Sequence, residues 1–129
     1  MGGDHGAAIV VPAVDIAARA NPDLRFLLHG DETRINAELA RLPTAKAVCT
    51  VRHTDKAISM DEKPAQAMRR GKGSSVWNAI ESVKAGEAKA AVSAGNTGAL
   101  MAISKLVLRM AAGVSRPAIV ASWPTLNGV

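Results

Sequence analysis

The chain has 129 residues, 48% of them hydrophobic and 2% aromatic, with a formal charge of +5. That length suits one domain at most, and the apolar residues can supply an aliphatic core of Ala, Val, Ile, Leu and Met. The single cysteine, Cys49, excludes an internal disulfide framework, and no apolar run reaches the roughly 18–20 residues of a bilayer span.

Aromatic stacking platforms are nearly absent and no zinc-finger spacing exists, which speaks against nucleic acid as a partner. The basic balance, with a pI of about 9.9, fits an acidic protein or a phosphate-bearing substrate better. The first residues carry no secretory signal, so a cytoplasmic location is the expectation.

In chain order, small and apolar residues at helical spacing predict a helix over 7–20. Its inner face would hold Ile9, Ala13, Ile16, Ala17 and Ala20, with Pro12 near the first turn. Asn21, Pro22 and Asp23 end it. Residues 24–29 read as a strand. Asp31 then caps a helix with Ile35, Leu39 and Leu42 on one face. Residues 45–52 read as a second strand, with Cys49 as a small buried hydrophobe. The stretch 54–64 reads as irregular and 64–70 as a short helix.

Ser74 or Ser75 caps the next helix, whose inner face would be Val76, Ala79, Ile80 and Val83; Gly86 stops it. Residues 89–93 read as a strand. Residues 96–110 give the clearest helix, with Leu100, Ile103, Leu106, Val107 and Met110 as a stripe. Residues 117–122 read as a last strand. Strands alternating with helices argue for an α/β layer with a largely parallel sheet.

The stretch from Val92 to Met101, VSAGNTGALM, carries the most chemical information. It reads as a strand end, a small-residue turn and a helix start. Gly95 and Gly98 would let the backbone approach a ligand, while Ser93, Asn96 and Thr97 offer hydrogen-bonding side chains. Free N–H groups and the positive dipole end of a helix favour an anion such as phosphate. An ordinary strand-to-helix turn, with Asn96 only as its cap, fits the same pattern. No zinc or calcium ligand pattern, Walker A loop or GxGxxG fingerprint is present, and no nucleophilic triad can be assembled.

The wording SAGNTGALMA resembles a signature of the PlsX-type phosphate acyltransferases of bacterial phospholipid synthesis. The opening Met1-Gly2-Gly3-Asp4-His5-Gly6 is similar to that family's MGGDHG. Ser59-Met60-Asp61-Glu62-Lys63-Pro64, followed by Arg69-Arg70-Gly71-Lys72-Gly73-Ser74-Ser75, resembles its central basic segment. Arg116-Pro117-Ala118, with Pro124, Thr125 and Gly128, resembles its RPA…PT..G segment. The four motifs stand in the family's order along nearly the whole chain. Gly73, Trp77 and Asn78 fall where the family carries other residues or varies.

The resemblance implies a three-layer α/β/α fold similar to that of the isocitrate and isopropylmalate dehydrogenases. It implies that residues 1–129 are the amino-terminal part of a single α/β acyltransferase domain, lacking the first strand and the carboxyl-terminal half. The implied reaction moves a fatty acyl group from acyl carrier protein to inorganic phosphate, giving acyl phosphate, with no metal or cofactor. A homodimer in the cytoplasm, with peripheral attachment at the inner membrane face through regions outside this chain, is implied as well.

His5 and Asn96 are then the candidate catalytic residues. Gly3, Asp4, Gly6, Arg70, Lys72, Ser74, Ser75, Ser93, Gly95, Thr97 and Gly98 are the candidate substrate- or phosphate-binding residues. The Asp4-His5 pair suits structural hydrogen bonding as well as acid–base chemistry. Arg69, Arg70 and Lys72 suit a solvated basic loop as well as a site for phosphate or carrier protein. Two alternatives stand beside this reading: a short-chain phosphotransacylase acting on acyl-coenzyme A, and a truncated piece that binds phosphate or a partner without turnover.

Overall fold

A computed structural model of the chain describes Gly3 and residues 5–122. Helix α1 (Ala7–Ala20) leads into strand β1 (Phe26–Gly30), helices α2 (Glu32–Leu39) and α3 (Pro43–Val48), and strand β2 (Cys49–His53). Helices α4 (Pro64–Arg70), α5 (Ser75–Lys84) and α6 (Thr97–Leu108) follow. β1 and β2 pair in parallel, from Phe26 opposite Cys49 to Gly30 opposite His53. Parallel neighbours need a crossover, which α2 and α3 supply. The result is mixed α/β with a small parallel sheet.

Local chemistry sets the element ends. Asp31 Oδ1 accepts from the Arg34 N–H at 3.0 Å and caps α2, with Ile35 and Leu39 buried beneath it. Helix α4 starts on Pro64, whose missing N–H would be unpaired there anyway. Leu42 precedes α3 without a side-chain cap of its own. Asp15 on α1 substitutes: its Oδ1 accepts from the Ala45 N–H at 3.0 Å, while its Oδ2 lies 2.8 Å from Arg19 Nε. A buried carboxylate is tolerated only when so paired, and this one ties α1 to α3.

The core has two parts. Val11, Val14, Leu28, Ile35 and Leu39 pack α1 and α2 against the sheet. Ile58, Trp77, Ile80, Ile103 and Val107 pack α4, α5 and α6 together. Helix α5 also reaches β1, where Ser82 Oγ and His29 Nε2 lie 3.2 Å apart.

Several elements differ from the sequence reading. The helix over 7–20 forms, but it buries Ala7, Val11, Val14, Asp15 and Ala18 and exposes Ile9 and Ile16. The helix is apolar on more than one side, so periodicity alone does not choose the packed stripe. Pro12 lies beyond the first turn and takes one rung out of the hydrogen-bond ladder. The strand expected over 45–52 begins only at Cys49, because Pro43 opens a short helix first. Leu42 packs on the first core part from outside α2.

Residues 89–93 and 117–122 form no strand. A strand exists through its neighbour, and neither segment has a ladder partner among the described residues. Val92 and Val120 stand 95% and 92% exposed. Helix α6 ends at Leu108 rather than 110, because Arg109 at φ 67° leaves the right-handed helical region. Its packed stripe is Ala99, Ile103 and Val107, with Leu106 exposed.

Candidate active site

Two glycine turns meet. Gly3 adopts φ +98°, and a Cβ built on it would stand 2.7 Å from the Ala94 carbonyl oxygen and 3.7 Å from the Gly95 Cα. Only a bare Cα permits that approach. The amino-terminal turn therefore presses directly on the loop that feeds α6. Gly6 ends the turn as the residue before α1, and exposed His5 stands between these glycines. Asp4 lies outside the described residues.

The loop into α6 is held by its own side chains. Ser93 Oγ accepts from the Gly95 N–H at 3.1 Å. Asn96 Oδ1 accepts from the Ala99 N–H at 2.9 Å and caps the helix. The Asn96 amide nitrogen donates to the carbonyls of Ser59, Met60 and Glu62 at 3.1, 2.9 and 2.8 Å. Its polar atoms are therefore all engaged within the protein. The first-turn N–H groups of Thr97 and Gly98 have no acceptor among the described residues. The space that a Gly98 Cβ would fill is occupied by Pro64, whose Cγ would lie 2.8 Å from it. Gly98 thus lets α4 and α6 start side by side.

The basic loop is fastened to the segment after β2. Lys56 Nζ donates to the Lys72 carbonyl at 2.9 Å, Thr54 Oγ1 to the Gly73 carbonyl at 2.8 Å, and the Ser75 N–H to the Lys56 carbonyl at 2.9 Å. Ser74 is fully buried and its Oγ accepts from the Trp77 N–H at 3.4 Å, so it is the cap of α5. Arg70 and Lys72 are exposed. Arg70 lines a cleft of about 280 Å³ whose other residues include Lys56, Ile58, Glu62 and Gln66.

Residues 54–62 therefore connect the two candidate regions. One end holds the basic loop through Thr54 and Lys56. The other holds the α6 start through the carbonyls of Ser59, Met60 and Glu62.

Two titratable groups are perturbed. Burial lowers the His29 pKa below its usual value, with Arg52 adding to the shift and Glu87 opposing it. Burial pushes the Cys49 thiol up, as fits a packed side chain rather than a nucleophile. Among the described residues, no three His, Cys, Asp or Glu side chains gather as a metal site, and no helix is long and apolar enough to cross a membrane.

The family model for "fatty acid synthesis protein" matches residues 1–129. The chain belongs to the fatty acid synthesis protein family. Curated relatives carry the name phosphate acyltransferase. That of Caulobacter vibrioides is 70% identical over 129 residues, covering 100% of this chain and 36% of the relative. That of Phenylobacterium zucineum is 61% identical, covering 100% of this chain and 37% of the relative. That of Parvibaculum lavamentivorans is 57% identical, covering 99% and 36%. The chain thus spans little more than a third of the length of these relatives.

Within this family member the structure brings Gly3 to Ala94 and Gly95, Asn96 to the 59–62 turn, and Lys72, Gly73 and Ser75 to residues 54–56, while Ser74 caps α5 beside them. Among the described residues no hydrogen bond or ion pair joins Arg70 or Lys72 to the α6 start. Pro124, Thr125 and Gly128 of the last motif lie outside the described residues. Thr54 and Lys56 build the site although no sequence motif marks them. The wording of residues 59–64 did signal the second half of that segment, but its role there is carried by carbonyl groups, which side-chain chemistry does not announce.

Proposed function

We propose that this chain is part of an enzyme that transfers a fatty acyl group from acyl carrier protein to inorganic phosphate, giving acyl phosphate for phospholipid synthesis. One observation carries the reading: the two glycine motifs meet where Gly3 abuts Ala94 and Gly95, next to the α6 start, whose Thr97 and Gly98 N–H groups have no acceptor among the described residues. The family membership and the relatives' name, phosphate acyltransferase, support it.

Phosphate would sit on the first turn of α6, with Thr97, Gly98 and the Gly95 loop as its cradle. Ser93 and Asn96 hold that loop in shape; Asn96 acts here as a positioning residue, since its amide is already engaged. A phosphate oxygen attacks the thioester carbonyl carbon, forming a C–O bond as an electron pair moves to the carbonyl oxygen. Collapse re-forms the carbonyl and breaks the C–S bond, and the pair leaves on sulfur. His5 takes the hydrogen-phosphate proton and returns it to the departing thiolate. No oxidation state changes, so the step calls for no redox cofactor.

Gly3 and Gly6 shape the turn that carries His5, and Asp4 is a further candidate for binding phosphate. Arg70 and Lys72 present cations to phosphate or to the acidic carrier protein. Ser74 and Ser75 fix the loop on which Lys72 stands. The same reading carries the three-layer, dehydrogenase-like α/β/α fold, with residues 1–129 as the amino-terminal part of one acyltransferase domain. It also carries a cytoplasmic homodimer with peripheral attachment at the inner membrane face.

The test is acyl-phosphate formation from palmitoyl-acyl carrier protein and phosphate, run on this chain and on a protein of the relatives' full length. Formation by the longer protein, lost on replacing His5 with Ala, is the expected result. A folded longer protein that forms no acyl phosphate would overturn the reading.

A further inference from the structure

The two core parts are joined by a polar contact. Among helices and strands they meet chiefly where α5 packs on β1. Successive strand residues face opposite sides, so Leu28 enters the first core part while His29 faces α5. His29 and Ser82 are 9% and 8% exposed, and His29 Nε2 lies 3.2 Å from Ser82 Oγ. His29 Nδ1 is buried without a hydrogen-bond partner among the described residues.

That arrangement suits only the neutral ring. A neutral imidazole carries one N–H, and the Ser82 hydroxyl donates or accepts across the contact as the tautomer requires. A protonated ring carries an N–H on both nitrogens, so Nδ1 becomes a buried charged donor with nothing to accept from it. Burial and then Arg52 disfavour the cation, Glu87 favours it, and the amino terminus acts in the same sense as Arg52. Arg52 stands opposite His29 in the β2 register, and Glu87 lies 3.5 Å from Arg52. On α5 itself the charged Glu81 and Lys84 are exposed.

Release of this contact reaches the candidate site. The Ser82 carbonyl accepts the Glu87 and Ala88 N–H groups at 2.9 and 3.1 Å, across a turn in which Gly86 adopts φ +76°. The end of α5 is thereby tied to the segment that carries Ala94 to Gly3.

We propose that the His29–Ser82 contact is a proton-operated latch between the two core parts. Neutral His29 holds α5 against β1. The protonated ring reaches water only when α5 and residues 87–95 lift off the sheet, which parts Gly3 from Ala94. Valine or leucine at this position would seal the contact at every pH; a histidine with one unpaired nitrogen seals it only while neutral. The latch stands on this packing and does not depend on the acyl-transfer reading.

The test is amide hydrogen exchange resolved by peptide, on the chain at pH 7.5 and 5, with rates corrected for the intrinsic pH dependence of exchange. At pH 5, peptides over α5 and 87–95 should lose protection about tenfold or more, while those over α1 and β2 keep theirs. His29→Gln, neutral at both pH values, should abolish the difference. His53→Gln, which removes an exposed histidine, should keep it. Ser82→Ala should loosen α5 already at pH 7.5, and it tests the latch even where the His29 variant does not fold. Loss of protection in α1 and β2 together with α5 would make the event global unfolding. The same pH response in folded His29→Gln would assign it to another group. Full protection of α5 in Ser82→Ala at pH 7.5 would show that the contact holds nothing. Each of these three results overturns the proposal, as does α5 protection that does not change with pH.

Discussion

Gly3 and Ala94 touch backbone to backbone: a methyl group on Gly3 would sit 2.7 Å from the Ala94 carbonyl oxygen. A carbonyl held in a loop cannot swing aside as a side-chain tip does. Gly3→Ala should therefore push the amino-terminal turn off the α6 loop. The positive φ adds strain of about 1–3 kcal/mol. Acyl-phosphate formation by the full-length protein should fall at least tenfold, and urea denaturation should show a lower midpoint. An unchanged midpoint and rate would mean that the two turns do not depend on each other.

Asn96→Ala removes a helix cap, for about 0.5–2 kcal/mol, and the donor to three carbonyls of the 59–62 turn. Loss of stability at the upper end of that range is expected, together with a raised KM for phosphate. Asn96→Ser, which keeps a capping oxygen and loses the amide donor, should recover part of the stability and little of the KM. Full recovery of both by serine would confine Asn96 to capping.

Replacing Arg70 and Lys72 by Ala removes two exposed cations. Binding of acyl carrier protein should weaken, and by a larger factor at low ionic strength, where exposed charges are least screened. Titrations across a salt series check this. A salt-independent, unchanged affinity would leave the pair as ordinary surface charge.

His29 should make stability pH-dependent. Its folded pKa is depressed by burial, so the unfolded chain binds the proton more tightly. In the window below the ordinary histidine value of 6.5, the unfolded state holds more protons than the folded one, and stability falls as pH falls until the folded pKa is passed. Urea midpoints between pH 7.5 and 5 measure the slope. His29→Gln should flatten it, with a constant loss from the altered contact to Ser82.

The sequence made most helices legible. Asp31, Pro64, Ser74 and Asn96 announce their helix starts, because capping is local chemistry. The α/β alternation and the parallel sense of the sheet are legible too, from the strands read over 24–29 and 45–52; which strands pair, and in what register, comes from the structure. Ile9 and Ile16 misled because bulk suggests burial, while the sheet packs on Val11 and Val14 instead. Residues 89–93 and 117–122 have strand-like composition, but composition cannot supply the neighbour that makes a strand. The candidate site was legible as motifs. Their spatial relation was not: the contact of Gly3 with Ala94 and the grip of Asn96 on three carbonyls join points distant in the chain.

Irregular surface segments usually accept extra residues at little cost. The segment from Thr54 to Glu62 should not. It is pinned at one end by Thr54 and Lys56 and at the other by the Asn96 amide, with buried Ile58 between. It works as a gauge block: its residue count sets the separation between the Lys72 loop and the first turn of α6. One inserted residue would change that separation while every side chain of both regions stayed the same.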